Sequence, residues 1–180
     1  MKMKLGALVV SLLLLASLSA AAQGLTLGQT KTAPTIDGVI GDGEYSQSVE
    51  SGNMKLSLSW VGDVLSIAVS GQTSGWVAVG LGSAKMNDAV MYIGAADSGK
   101  GQLKVQKGAG HRHADVETPA PSSYALREAG GQTVLELSVP ASAFIADGQK
   151  QLDVIYAMGG AKVLASMHKA RYAAQVSLAK

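Results

Sequence analysis

Alternation with a period of two constrains this chain more than any other feature. Met54, Leu56, Leu58 and Trp60 are interleaved with Lys55, Ser57 and Ser59; after Gly62-Asp63, Leu65, Ile67 and Val69 are interleaved with Ser66, Ala68 and Ser70. Side chains on a strand point to opposite faces in turn, so these runs predict a hairpin with one apolar face. Gly75–Gly82 is nearly all small or apolar, the pattern of a strand covered on both faces. Further strands are predicted at Ala89–Ala95, Gln102–Gln106, Ser122–Glu128, Thr133–Val139, Leu152–Met158 and Arg171–Leu178, with glycines between most of them. One short helix is predicted after Pro140, over Ala141–Ala146. Short strands with frequent turn signals predict an all-β antiparallel sandwich carrying at most that helix. No internal repeat or long linker interrupts it.

The amino terminus does not share this pattern. Met1-Lys2-Met3-Lys4, an apolar run from Leu5 to Leu18 and the small residues Ser19 to Ala22 read as a signal peptide over residues 1–22, cleaved near Ala22-Gln23. A membrane anchor is the competing reading. Cleavage leaves one domain over 23–180, periplasmic or secreted, with no stable membrane span. Loss of Lys2 and Lys4 takes 15 basic residues to 13, against 13 acidic ones. A neutral domain gives no electrostatic reason to expect nucleic acid as a partner. The chain has no cysteine. A disulfide framework, thiolate metal sites and a covalently attached c-type haem are therefore excluded.

Three constellations contain residues able to carry chemistry. In the first, Gly75-Trp76-Val77-Ala78-Val79-Gly80-Leu81-Gly82 runs through Lys85 to Met86 and on to Ala89. Glycines weaken a strand unless something approaches its backbone closely. Met86 lies in a polar turn, where it reads as an exposed loop methionine or as a metal ligand at a pocket mouth. In the second, His168 follows a glycine-rich turn at Gly159-Gly160 and precedes the last strand; a lone histidine there is a surface residue or a ligand. In the third, Gly110-His111-Arg112-His113 places two histidines at i and i+2, on one side of an extended chain. They read as a solvated loop or, more weakly, as a copper or zinc pair. No Ser-His-Asp order, phosphate-cradling loop or H-E-x-x-H helix is present, so no independent enzyme is expected.

Gly75-Trp76-Val77-Ala78-Val79-Gly80, Met86, Ala89, the late Tyr156-Ala157 and His168 together resemble the DOMON family, a β-sandwich family in which many members are b-type cytochrome domains. Thr35-Ile36-Asp37-Gly38-Val39-Ile40 is similar to the first strand of bacterial members and of some carbohydrate-binding modules. Val90 stands where members commonly carry Asp. The resemblance implies non-covalent haem b, with Met86 and His168 as axial ligands of the iron; His111 or His113 is a weaker alternative to His168 in that role. It implies a surrounding set of Trp76, Gly80 and Met91, with Val79, Leu81 and Met158 as other possible walls. Lys85, Lys169 and Arg171 would form a basic rim for the propionates. Thioether plus imidazole fills both axial positions, which suits electron transfer and raises the potential. The expected function is one-electron transfer with a separate redox partner. The alternative is a haem-free carbohydrate-binding module, for which the chain has few aromatic residues to offer as a sugar platform, with 2 Trp, 5 Tyr and 1 Phe.

Overall fold

The computed structural model describes residues 24–97, 100–110 and 112–179. The leader, His111 and Lys180 lie outside them. Twelve strands follow one another: β1 Leu25–Gly28, β2 Gln47–Ser51, β3 Met54–Val61, β4 Val64–Gly71, β5 Val77–Leu81, β6 Val90–Asp97, β7 Lys100–Ala109, β8 Arg112–Asp115, β9 Ser123–Ala129, β10 Gln132–Pro140, β11 Gln151–Gly159 and β12 His168–Ala179. They form a seven-stranded sheet in the order β1-β12-β11-β5-β6-β7-β8 and a five-stranded sheet in the order β2-β3-β4-β10-β9. Neighbours run antiparallel except β1, which lies parallel to β12. The segment after Pro140 makes one 3-10 turn, Ala141–Ala143.

The predicted β3–β4 hairpin forms, pairing Leu58 with Ile67 and Trp60 with Leu65. Its apolar face packs on the inward residues of the other sheet, Val77, Val79, Leu81, Tyr92, Leu152, Val154, Tyr156 and Met158. At roughly 25 cal/mol per Å² of apolar surface removed from water, this shared core is the main favourable contribution to folding. Trp60 belongs to it, and its indole N–H donates to the Gly62 carbonyl at 2.8 Å.

Three expectations are corrected. Ser57, Ser59 and Ser66 alternate with core residues as though facing water, yet all are buried. The backbone N–H of Ser46 donates to the Ser59 hydroxyl at 2.8 Å, and Ser48 bonds Ser57. Secondly, Thr35–Ile40 is not a strand but an irregular segment. The N–H groups of Asp37, Gly38 and Val39 converge on one carboxylate oxygen of Glu136, at 3.1, 2.7 and 3.1 Å. Its other oxygen accepts from the Tyr45 hydroxyl at 2.8 Å. Backbone donors satisfied this way have no need of a sheet partner. Thirdly, the histidine segment is not all loop, since Arg112–Asp115 pairs with β7 as an edge strand.

Candidate functional site

The outer face of the seven-stranded sheet carries a cleft of about 930 Å³. Register dictates its floor. Arg171, Ala157, Ala78 and Ile93 stand directly opposite one another across β12, β11, β5 and β6, and Ala173, Ile155, Gly80 and Met91 form the next row. The first row is low in the middle because Ala157 and Ala78 stand there, whereas in the second Ile155 stands beside Gly80. A methyl group at Gly80 would sit 2.7 Å from Ile155 and 3.0 Å from Met91, so Gly80 lets those two chains close over the strand. Trp76, Ala78, Ala89, Met91, Ile93 and Ala95 make a second apolar cluster here, separate from the sandwich core.

Val77, Val79 and Leu81 point the other way, into the core, as does Met158. Of Val79, Leu81, Met91 and Met158, only Met91 lines the cleft, together with Trp76 and Gly80. Alternation fixes this, since Trp76, Ala78 and Gly80 occupy one face of β5 and Val77, Val79 and Leu81 the other.

The Gly-Trp block is a lock for the loop between β11 and β12. The Trp76 N–H donates to the Ala161 carbonyl at 3.1 Å, the Trp76 carbonyl accepts from the Gly159 N–H at 2.8 Å, and the indole N–H donates to the Ser166 hydroxyl at 3.0 Å. A side chain on Gly75 would strike the Gly159 carbonyl, and one on Gly159 would strike the Trp76 indole. The buried Thr133 hydroxyl reaches the carbonyls of Thr73 and Gly75 at 2.8 and 2.9 Å, and that of Thr73 donates to the Gly159 carbonyl at 2.7 Å. These bonds tie the start of β5 to both sheets.

That loop forms one lip of the cleft. His168 reaches it through a β-bulge: the register between β11 and β12 shifts at Met158/Gly159, so that Met158 faces Ala170 but Gly159 faces His168. In an unbroken ladder Lys169 would stand opposite Gly159. The bulge gives His168 that position, on the same outward phase as Ala157 and Ile155, and it lines the cleft. Lys169 is the extra residue and does not line it, whereas Arg171 and Lys85 do. Met167, 86% exposed, lies at this lip and was not singled out from sequence.

The opposite lip contains Met86, half-buried against the outer apolar cluster. Its turn is closed by the Ala89 N–H donating to the Met86 carbonyl at 3.2 Å, with Asp88 at φ 66°. The β7–β8 hairpin supports it from below: Asp88 N–H donates to the Gly108 carbonyl at 3.0 Å, and Gly110 N–H donates to the Asn87 side chain at 2.7 Å. His113 is exposed on β8 and also lines the cleft. Its would-be partner His111 lies outside the described residues. Near it, Asp115 accepts from Lys104 at 2.8 Å and from Gln106 at 2.6 Å, and the Lys104 ammonium holds its carboxyl below the usual carboxylate range. No group of three or more His, Asp or Glu side chains able to hold a metal occurs among the described residues. Among the described residues the cleft lining includes the cations Lys85 and Arg171 and the imidazoles of His113 and His168, and no Asp or Glu.

The fold is thus a two-sheet β sandwich with an apolar cleft on one outer face, lined by Lys85 and Arg171. The family model described as the DOMON domain matches residues 50–159, more than half of the chain, and the chain belongs to this family. Among solved structures, the fold resembles the cytochrome domain of Myriococcum thermophilum cellobiose dehydrogenase, with a TM-score of 0.53 at 8% identity over 72% of this chain and 81% of that one. It resembles equally a family 9 carbohydrate-binding module from Caldicellulosiruptor kristjanssonii in complex with cellotriose, with a TM-score of 0.50 at 12% identity over 85% of this chain and 93% of that one. The cytochrome b domain of pyranose dehydrogenase from Coprinopsis cinerea aligns at a TM-score of 0.49 and 13% identity over 69% and 76% of the two chains. At these identities the likeness is one of fold. No curated protein sequence matches the chain. No helix among the described residues is long and apolar enough to cross a membrane.

Proposed function

We propose that this chain is an exported haem b-binding domain that exchanges single electrons with a separate redox partner. The observation carrying this reading is that Met86 and His168, 82 positions apart in sequence, line one apolar cleft from different lips. The residues fit the group. The cleft volume lies at the upper end of the range for small-molecule and cofactor sites. Its floor of alanine, glycine, isoleucine and methionine is apolar, and its mouth adds the thioethers of Met86 and Met167 and two imidazoles. Arg171 and Lys85 complement carboxylate tails through charge.

Bound in the cleft, haem b would supply a one-electron iron couple whose potential a thioether–imidazole ligand pair sets high. Met86 and His168 would hold the iron. Ile155, Met91 and Ile93 would exclude water from the bound group, and the Trp76–Ser166 bond would keep the His168 lip in place.

Titration of purified protein with haem is expected to give a sharp low-spin spectrum on reduction, and His168→Ala is expected to abolish it. Identical spectra from wild type and His168→Ala would refute the ligand assignment. A colourless protein that takes up no haem but binds glycans would establish the carbohydrate-module reading instead. The cleft gives that reading little support, because Trp76 is buried and Tyr124, the exposed large aromatic among the described residues, lies on β9 of the other sheet.

A further inference from the structure

The Met86 lip holds a second donor. Gly108 and His113 stand directly opposite each other on β7 and β8, so their outward bonds lie on the same face, with Cα atoms about 5 Å apart. A side chain on Gly108 would run into the carbonyl of Met86. The outward direction at this cross-strand pair is therefore occupied by the Met86 turn at one position and by the His113 imidazole at the other. Both residues line the cleft, and His168 does so from the other loop. His113 is thus a neighbour of Met86 rather than of His168.

We infer that His113 is a reserve ligand for the same axial position as Met86. The inference rests on the haem reading proposed above. An exchange would break an iron–sulfur bond and form an iron–nitrogen bond. Thioether and neutral imidazole each bring one lone pair, so no electron is gained or lost and no further reactant is needed. A bis-imidazole pair loses the potential-raising effect of the methionine, so the exchange lowers the reduction potential. His113 is exposed at the sheet edge, and Met86 is half-buried against the outer apolar cluster, outside the sandwich core.

The test compares haem-loaded wild type, Met86→Ala, His113→Ala, Met86→Ala/His113→Ala and Met86→Ala/His111→Ala by absorption, electron paramagnetic resonance and redox titration. His113→Ala alone is expected to keep the thioether signature of wild type. Met86→Ala is expected to remain six-coordinate and low-spin, with a bis-imidazole spectrum and a lowered potential, as is the double variant lacking His111. Met86→Ala/His113→Ala is expected to become high-spin. Met86→Leu, which preserves volume, replaces alanine if the turn loosens. A high-spin spectrum in Met86→Ala, or retention of the low-spin spectrum without His113, overturns the inference while leaving haem binding intact. Failure of wild type to take up haem overturns the underlying reading as well.

Discussion

Glu136 is a buried carboxylate on β10 whose two oxygens accept four hydrogen bonds, three from consecutive backbone N–H groups and one from Tyr45. Burial pushes its pKa up, against the lowering effect of those donors. The side chain fastens the segment from Thr35 to Ser46 across the outer face of the five-stranded sheet, covering serines that would otherwise meet water. Glu136→Ala leaves the Tyr45 hydroxyl and three amides without their acceptor. Each unsatisfied buried group costs about 1–3 kcal/mol, so a loss on the order of 3 kcal/mol or more is expected in urea unfolding. A loss below about 1 kcal/mol would mean that water replaces the carboxylate and that the segment is only loosely held.

At the scale of elements, the site is assembled by irregularities rather than by the ladders themselves. The bulge at Gly159 turns His168 onto the outer face, and the β7–β8 hairpin supports Met86 through Gly108. Gly108→Ala places a methyl group against the Met86 carbonyl. Overpacking of this kind costs about 1–3 kcal/mol and is relieved here by lifting the turn. The expected outcome is a folded protein with an unchanged far-UV spectrum whose haem complex loses thioether ligation. An unchanged haem spectrum in Gly108→Ala would show that Met86 does not depend on this support. Neither irregularity leaves a signature in sequence: Gly159-Gly160 reads only as a turn, and Gly108 as one of several glycines in a loop-like stretch.

The molecule as a whole carries buried phenols that couple folding to pH. Burial, reinforced by the neighbouring Glu136 carboxylate, holds Tyr45 well above the usual phenol value of 10.0, and burial alone does the same for Tyr92. Tyr156 is shifted in the same direction. A group raised in the folded state contributes stability that is present below its unfolded pKa and is lost as pH rises from there. Stability is expected to be flat with respect to these groups below pH 10 and to fall above it, by about 1.4 kcal/mol per pH unit for each fully protected tyrosine. Tyr92→Phe is expected to reduce the slope by that amount in denaturant titrations from pH 9.5 to 11; an unaltered slope would mean that Tyr92 ionises in the folded state.

The sequence by itself determined that this chain folds as a β sandwich, because period-two alternation leaves an apolar face that only a second sheet can cover. Its Gly-Trp block, with Met86 and His168, was enough to indicate the DOMON family to which the chain belongs. The sequence marked Gly75–Gly82 as a strand covered on both faces, without saying whether Trp76, Ala78 and Gly80 or Val77, Val79 and Leu81 faced the core. Only the tertiary structure decided that, because both sets are small or apolar and both faces of β5 are covered. Tertiary structure alone also placed Arg171 in the cleft and Lys169 outside it, since one bulged residue reverses the phase. It likewise put His113 opposite Gly108, the residue that abuts the Met86 turn.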